Sequence, residues 1–227
     1  MKILYLIPAR AGSKGLPGKN TKILGNKPLV NYTIDFALKN MKMGDELCIS
    51  TNDNEVIQIA SSLGIDLPFK RPEELASDTS STYDVIMHAI NHYEQKKMFF
   101  DLVLLLQPTS PFRTQEDFNN ILNNYHEELE MIVSVKKSKE NPYFNLFEEN
   151  ELEFLTKSKE SNFERRQDCP EVFAFNGSMY LMKVSALKTC TINNFKKIKK
   201  MIMPDERSID IDTFADWKLA EFYLGKE

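Results

Sequence analysis

Ile3-Leu4-Tyr5-Leu6-Ile7, followed by Pro8-Ala9-Arg10-Ala11-Gly12-Ser13-Lys14-Gly15-Leu16-Pro17-Gly18-Lys19-Asn20, is the stretch on which the fold turns. Its first five residues are an unbroken apolar run, the mark of a strand buried on both faces of a parallel sheet. The next thirteen hold three glycines and the cations Arg10, Lys14 and Lys19. Glycines let backbone amides approach an anion closely. A nucleoside triphosphate carries about four negative charges, and this loop supplies cations to neutralise them. The spacing is not that of a Walker A loop. Five residues separate Gly12 from Gly18, and Asn20 stands where a Ser or Thr would hold magnesium. A G-x-G-x-x-G dinucleotide fingerprint is also absent.

Outward from the loop, strand-like and helix-like segments alternate. Helices are expected over 28–40, 53–63, 81–97, from Thr114 to about Tyr125, and from Thr213 to Gly225. Thr114-x-x-Asp117 and Thr213-x-x-Asp216 have capping-box spacing. Strands are expected over 46–50, 65–69, 102–106, 131–135, 172–182 and 196–203. This β-α-β-α order implies an α/β fold with a doubly wound, mostly parallel sheet. Such sheets bind ligands beyond the carboxyl ends of their strands, so the loops after Ile7, Ser50 and Leu106 should share a crevice. Residues 137–171 break the pattern. They read as strand, turn and strand followed by the charged cluster Glu164-Arg165-Arg166-Gln167-Asp168, too poor in apolar residues for a core of their own. They are expected to be an insertion within a single domain spanning 1–227.

Composition narrows the class. The chain has 227 residues, about one and a half average domains, and 42% of it is hydrophobic. Against 29 Lys and Arg stand 33 Asp and Glu, a net charge of −4 that argues against a general nucleic-acid binder. Cys48, Cys169 and Cys190 are widely spaced and lack paired His ligands, which suits free thiols rather than a zinc cage. No apolar run approaches a membrane span. A cytoplasmic protein is expected, with no membrane and no nucleic-acid partner.

Near the C-terminus, Ser208-Ile209-Asp210-Ile211-Asp212-Thr213 alternates strictly. In an extended segment Ile209 and Ile211 face the core, and Asp210 and Asp212 share the other face about 6.5–7 Å apart. Two carboxylates so close call for a cation between them, and magnesium held jointly with substrate phosphates meets that need. Capping of the last helix by Asp212 or Thr213 is the plainer alternative. Arg71 to Thr82 is a polar stretch before a helix, suited to reading a base or ribose or simply to a capped loop. Gln107-Pro108-Thr109-Ser110-Pro111-Phe112-Arg113 leaves the central strand at the expected crevice, with Gln107 as a hydrogen-bonding candidate. His88 and His92 lie four apart on a helix without a third ligand and are read as structural.

Taken together, the loop Pro8–Asn20, Arg71–Thr82, Gln107–Arg113, Arg166-Gln167, Asn176-Gly177 and Ser208–Asp212 resemble the acylneuraminate cytidylyltransferase family. The resemblance implies a nucleotidyltransferase fold, CTP and a nine-carbon acidic sugar as substrates, and Mg2+. It also implies a homodimer in which the insertion of one subunit reaches toward the other's site. Arg10, Lys14 and Lys19 would hold the triphosphate, with Ala11, Gly12 and Ser13 alongside. Asn20, Arg71, Ser80 and Thr82 would lie near the cytidine. Gln107, Thr109, Ser110, Phe144, Phe175 and Asn176 would border the acceptor. Arg165 and Arg166 would sit near its carboxylate or the departing pyrophosphate, and Asp210 and Asp212 would bind the metal. Two departures from the family pattern lie on the acceptor side. Phe144 stands where well-known sialic-acid members carry Lys, and Phe173-Ala174-Phe175-Asn176-Gly177 lacks the Arg of many bacterial members. Both losses point to a less polar acid such as legionaminic or pseudaminic acid. The rival readings are a cytidylyltransferase for Kdo or another acidic sugar, and a nucleotide-binding module without catalysis.

Overall fold

The computed structural model describes residues 1–12 and 15–225. Its centre is a six-stranded sheet made of β1 (Ile3–Pro8), β4 (Glu46–Ser50), β5 (Leu102–Leu106), β6 (Met131–Lys137), β9 (Phe173–Lys183) and β10 (Ile198–Ile202). The spatial order is β10-β6-β9-β5-β1-β4. All pairs are parallel except those of β9, which runs antiparallel to both β5 and β6. Two short hairpins stand apart from the sheet, β2 (Ile23–Leu24) with β3 (Lys27–Pro28), and β7 (Phe147–Glu149) with β8 (Leu155–Lys157).

Helices cover both faces, as continuous apolar strands require. On one side α1 (Leu29–Asn40), α2 (Asn54–Ser62) and α4 (Gln115–Asn123) bury Ile34, Val56 and Phe118 against Ile3, Tyr5 and Ile7. On the other, α3 (Thr82–Gln95) and α5 (Val184–Leu187) bury Ile86, Ile90 and Leu187 against Leu4, Leu6 and Leu105. The last helix, α6 (Phe214–Leu224), anchors a third cluster in which Trp217 packs with Leu16, Ile209 and Ile211. Both anticipated capping boxes form, Thr114 with Asp117 and Thr213 with Asp216. Asp53 caps α2 and Ser81 caps α3. The three cysteines are free. His88 and His92 meet the edge of Phe69 at 4.5 and 4.9 Å between ring centroids, a packing arrangement.

One expected strand is missing. Residues 65–69 form no ladder and are interrupted by a bend at Pro68. Pro68 has no amide to donate. Beyond it, Arg71 N donates to Thr51 O at 2.7 Å, past the end of β4. Leu67 and Phe69 are still used, packed against the two main core clusters.

Residues 138–172, between β6 and β9, contain the β7–β8 hairpin, turned by Asn150, whose side-chain oxygen accepts from the amides of Leu152 and Phe154. Leu152, Phe154 and Leu155 are 73%, 66% and 68% exposed.

Candidate active site

The order of the sheet reverses between β1 and β5, because β4 lies on one side of β1 and β5 on the other. Such a switch point leaves an opening at the carboxyl ends of the two strands. A cleft of about 420 Å³ lies there. Pro8, Arg10, Gly15, Lys19 and Asn20 line it from the first loop, Gln107, Pro108 and Thr109 from the exit of β5, and Asp210 and Asp212 from the segment before α6. Arg71, Leu75, Ser77, Asp78, Ser80, Ser81, Thr82 and Val85 close the remaining wall. The cationic loop and the acidic doublet therefore share one cavity.

Their contact is direct. Lys19 Nζ donates to Asp212 Oδ1 at 2.6 Å and to the Ile211 carbonyl at 3.0 Å. Gly15 lies so close to the Asp212 backbone that a Cβ on it would come within 2.3 Å of the carbonyl oxygen. Beneath this polar contact, Leu16 packs with Ile209 and Ile211. The alternating pattern of 208–212 thus has its expected consequence, isoleucines inward and carboxylates toward the cleft, although the segment joins no sheet. It is fixed instead by Ile211 N donating to Thr109 O at 2.8 Å.

Arg10 donates to Ala76 O at 3.2 Å and to Asp78 Oδ1 at 2.6 Å, tying the first loop to the opposite wall. Ala11 N donates to Asn52 Oδ1 at 2.9 Å, and Asn20 Nδ2 to Arg10 O at 3.1 Å. The loop after Ser50 thus supports the cleft without lining it, a role for Asn52 that its sequence context did not signal. Gly12 takes a φ of +72°, a conformation glycine adopts without strain. Ser13 and Lys14 lie outside the described residues. Arg71 is buried, with Nε on Ser50 Oγ and Nη2 on Ser50 O. Burial lowers its guanidinium to about 10, still cationic at neutral pH.

Asp210 sits in the cleft at an electrostatic cost. Burial raises its carboxyl, a hydrogen bond from Thr109 pulls it down, and the Asp212 charge pushes it up again. Its Oδ1 is buried and has no hydrogen-bond partner among the described residues. A buried, unpaired carboxylate oxygen beside a second carboxylate is the donor set a divalent cation completes. The described residues hold no group of three or more His, Cys, Asp or Glu able to bind a metal unaided. The doublet fits a magnesium ion that takes its other ligands from substrate phosphates and water.

The acceptor-side candidates divide. Gln107 and Thr109 reach the cleft, and Ser110 lies buried just behind it with Oγ on the Asn176 carbonyl at 3.3 Å. Asn176 is 2% exposed, and its side chain is spent on Ser134, Ser208 and Met203. It supports the floor. Phe175 is exposed against Tyr180, and Phe144 sits at the base of the insertion. Neither lines the cleft, and neither do Arg165 and Arg166. Arg165 is exposed and makes a bidentate pair with Asp168 at 2.8 and 3.0 Å.

An open α/β sheet whose switch point brings a cationic loop directly onto a carboxylate doublet fits a protein of the nucleotidyltransferase class. The match to known proteins is more specific. Over residues 4–220 the chain matches, and belongs to, the cytidylyltransferase family. It is 33% identical over 222 residues to the CMP-N,N'-diacetyllegionaminic acid synthase of Legionella pneumophila, covering 97% of this chain and 95% of that protein. It is 28% identical over 222 residues to a pseudaminic acid cytidylyltransferase of Campylobacter jejuni, covering 97% and 95%. Among solved structures, a CMP:2-keto-3-deoxy-manno-octonic acid synthetase complexed with CTP shares the fold at a TM-score of 0.70 and 18% identity, covering 100% of this chain and 99% of that one. No described helix is long and apolar enough to cross a membrane.

Proposed function

We propose that this chain activates a nonulosonic acid with CTP, giving the CMP-sugar and pyrophosphate. The observation that carries this reading is the convergence of the cationic loop and the acidic doublet on one cleft, joined by Lys19 and Asp212. The anomeric hydroxyl oxygen forms a bond to the α-phosphorus of CTP, the bond from that phosphorus to the bridging oxygen breaks, pyrophosphate departs with that bonding pair, and the hydroxyl's proton passes to water. Arg10 and Lys19, with Lys14, offset the charge that grows on the leaving group. Their present partners, Asp78 and Asp212, hold them in the cleft, so little reorganisation is needed when phosphates arrive. Asn20, Arg71, Ser80 and Thr82 form the cytidine wall, with the Ala11 and Gly12 backbone beside the phosphates. Asp210 and Asp212 are the residues that would hold magnesium. When bound, that ion would polarise the phosphate and lower the pKa of the attacking hydroxyl.

Gln107 and Thr109 face the acceptor. The cations missing at positions 144 and 174 favour an acid less polar than N-acetylneuraminic acid, with legionaminic and pseudaminic acids foremost. We further infer a homodimer in which the 137–171 insertion covers a second copy. Its support is the exposed Leu152, Phe154 and Leu155, together with Arg165 and Arg166 lying away from their own chain's cleft. In that arrangement Arg165, Arg166, Phe144 and Phe175 serve the acceptor side across the interface. We infer a cytoplasmic location, a reading supported by the use of CTP as co-substrate.

The test is pyrophosphate release from four nucleoside triphosphates against a panel of eight- and nine-carbon keto acids. Turnover is expected with CTP and a nine-carbon acid, and Asp212→Ala should abolish turnover while weakening CTP binding far less. Near-normal kcat in that variant removes the metal role, and failure of every nine-carbon acid removes the substrate class.

A further inference from the structure

Arg113 is 6% exposed, and its guanidinium has no acidic partner at ion-pair distance among the described residues. Its donors go to three neutral oxygens. Nε reaches Ser178 Oγ on β9 at 3.2 Å, Nη1 reaches Thr33 Oγ1 on α1 at 2.9 Å, and Nη2 reaches the Gln107 carbonyl at 2.6 Å. The Phe36 ring lies 5.5 Å away on α1. Asp117, the acid whose field it feels, is already engaged by Arg207 and by the cap of α4. A buried cation held by neutral groups pays its full desolvation cost without a counter-ion, so stability alone is a poor reason for it.

Its three partners explain what it does. Gln107 is the first residue beyond β5, at the acceptor edge of the cleft. Ser178 directly follows Gly177, whose α-carbon faces Asp210 Oδ2, Gln107 Oε1 and Ser110 Oγ; a Cβ there would sit 3.0 to 3.2 Å from all three. Gly177 has a φ of +75°, so glycine is required both for conformation and for room. The planar fork of an arginine can hold the two strand exits and α1 at fixed separations, as an ammonium cannot.

We propose that Arg113 is a positioning residue for the acceptor half of the reaction, clamping the Gln107 carbonyl to Ser178 and Thr33 so that the Gln107 amide and the Asp210 carboxylate meet across Gly177. This rests on the cytidylyltransferase reading above. The nucleotide wall is anchored separately, Arg71 through Ser50 and Arg10 through Ala76 and Asp78. Loss of the clamp therefore acts on the acid and spares CTP.

The experiment is steady-state pyrophosphate release with CTP and whichever of N,N'-diacetyllegionaminic, pseudaminic and N-acetylneuraminic acid the wild type uses best. Arg113→Lys should lower kcat/KM for the acid by about thirty-fold, within the range expected of an ångström-scale misplacement. KM for CTP should stay within about twofold, because the cytidine wall has its own anchors. The double variant Gln107→Ala with Arg113→Lys should be no worse than Gln107→Ala alone, since the arginine acts through that residue. Ser178→Ala, which removes one partner and keeps the charge, should show the same split at about threefold and carries the test if Arg113→Lys does not fold. Parallel losses for CTP and acid, additive effects in the double variant, or wild-type kinetics in Ser178→Ala and Arg113→Lys would overturn the proposal while leaving the enzyme's activity established. A wild type that turns over none of the acids overturns the functional reading, and this proposal with it.

Discussion

Replacing Gly15 with alanine tests the convergence of loop and acidic doublet most directly. The added Cβ would stand 2.3 Å from Asp212 O and 3.3 Å from its carbonyl carbon. Both are backbone atoms, so no rotamer relieves the clash. An unstrained carbon-to-oxygen contact needs about 3.3 Å, so the two segments must separate by about 1 Å. Overpacking of this kind costs about 1–3 kcal/mol of stability. The same displacement lengthens the Lys19–Asp212 pair, now 2.6 Å, and loosens Leu16 against Ile211. A misplacement of about 1 Å lowers turnover by about a hundredfold when the displaced groups position the reacting atoms. Gly64→Ala is the control. Unlike Gly15 it has a positive φ, +73°, so alanine there adds backbone strain, but it has open space around it and a place at the end of α2 away from the cleft. It should cost about 1 kcal/mol of stability and leave kcat unchanged. The readouts are pyrophosphate release, CTP titration by calorimetry and thermal unfolding of both variants. Should Gly15→Ala keep kcat/KM within about threefold of wild type, the apposition of these segments does not govern the chemistry and the reasoning fails.

Asp210→Asn removes a buried charge whose carboxyl is raised by burial. A raised acid stabilises the fold only while protonated, and its contribution is lost as pH rises through the folded-state value. Without metal or nucleotide the variant should therefore unfold about 2–4 °C above wild type at neutral pH, corresponding to about 1 kcal/mol. The difference should vanish toward the pH range of an ordinary aspartate, and magnesium with CTP should raise the unfolding temperature of wild type more than that of the variant. Arg71→Ala leaves Ser50 without its buried donor and removes a cation from the wall proposed to hold the cytidine. Calorimetry should show CTP bound about thirty-fold more weakly, corresponding to about 2 kcal/mol for a lost charged hydrogen bond. If the proposed dimer forms through the insertion, Leu152→Ser with Phe154→Ser and Leu155→Ser should convert it to monomer in sedimentation velocity while leaving the monomer's unfolding temperature unchanged. A dimer that survives these changes places the interface elsewhere.

Much of the fold was legible because it rests on local signals. Unbroken apolar runs marked β1 and β5, and cap residues at fixed offsets marked the starts of α4 and α6. The segment 65–69 misled because its apolar content serves the core without a ladder. The β2–β3 hairpin was missed because two-residue strands leave no periodicity to read. In the site, charge density and strict alternation singled out Arg10, Lys19, Asp210 and Asp212, all of which line the cleft. Polarity alone could not separate Asn176, consumed by a buried network, from Asn20, which reaches the cleft. Asn52 and Arg113 gave no signal of their supporting roles, since each acts through backbone groups supplied by remote segments.

The amino-acid sequence by itself determined the alternation of strands and helices, the placing of cations behind the first strand, and the facing of two carboxylates to one side of a short extended segment. Those follow from backbone periodicity and the partitioning of apolar side chains, which operate over a few residues. Only the tertiary structure decided that positions nearly two hundred residues apart meet, that Lys19 pairs with Asp212, and that Arg165 and Arg166 stay outside their own chain's cleft. The physical reason is that these meetings depend on the sheet's strand order and on the burial of Leu16, Ile209, Ile211 and Trp217 in one cluster. Contact across such separations is fixed by packing of the whole chain, and no local propensity encodes it.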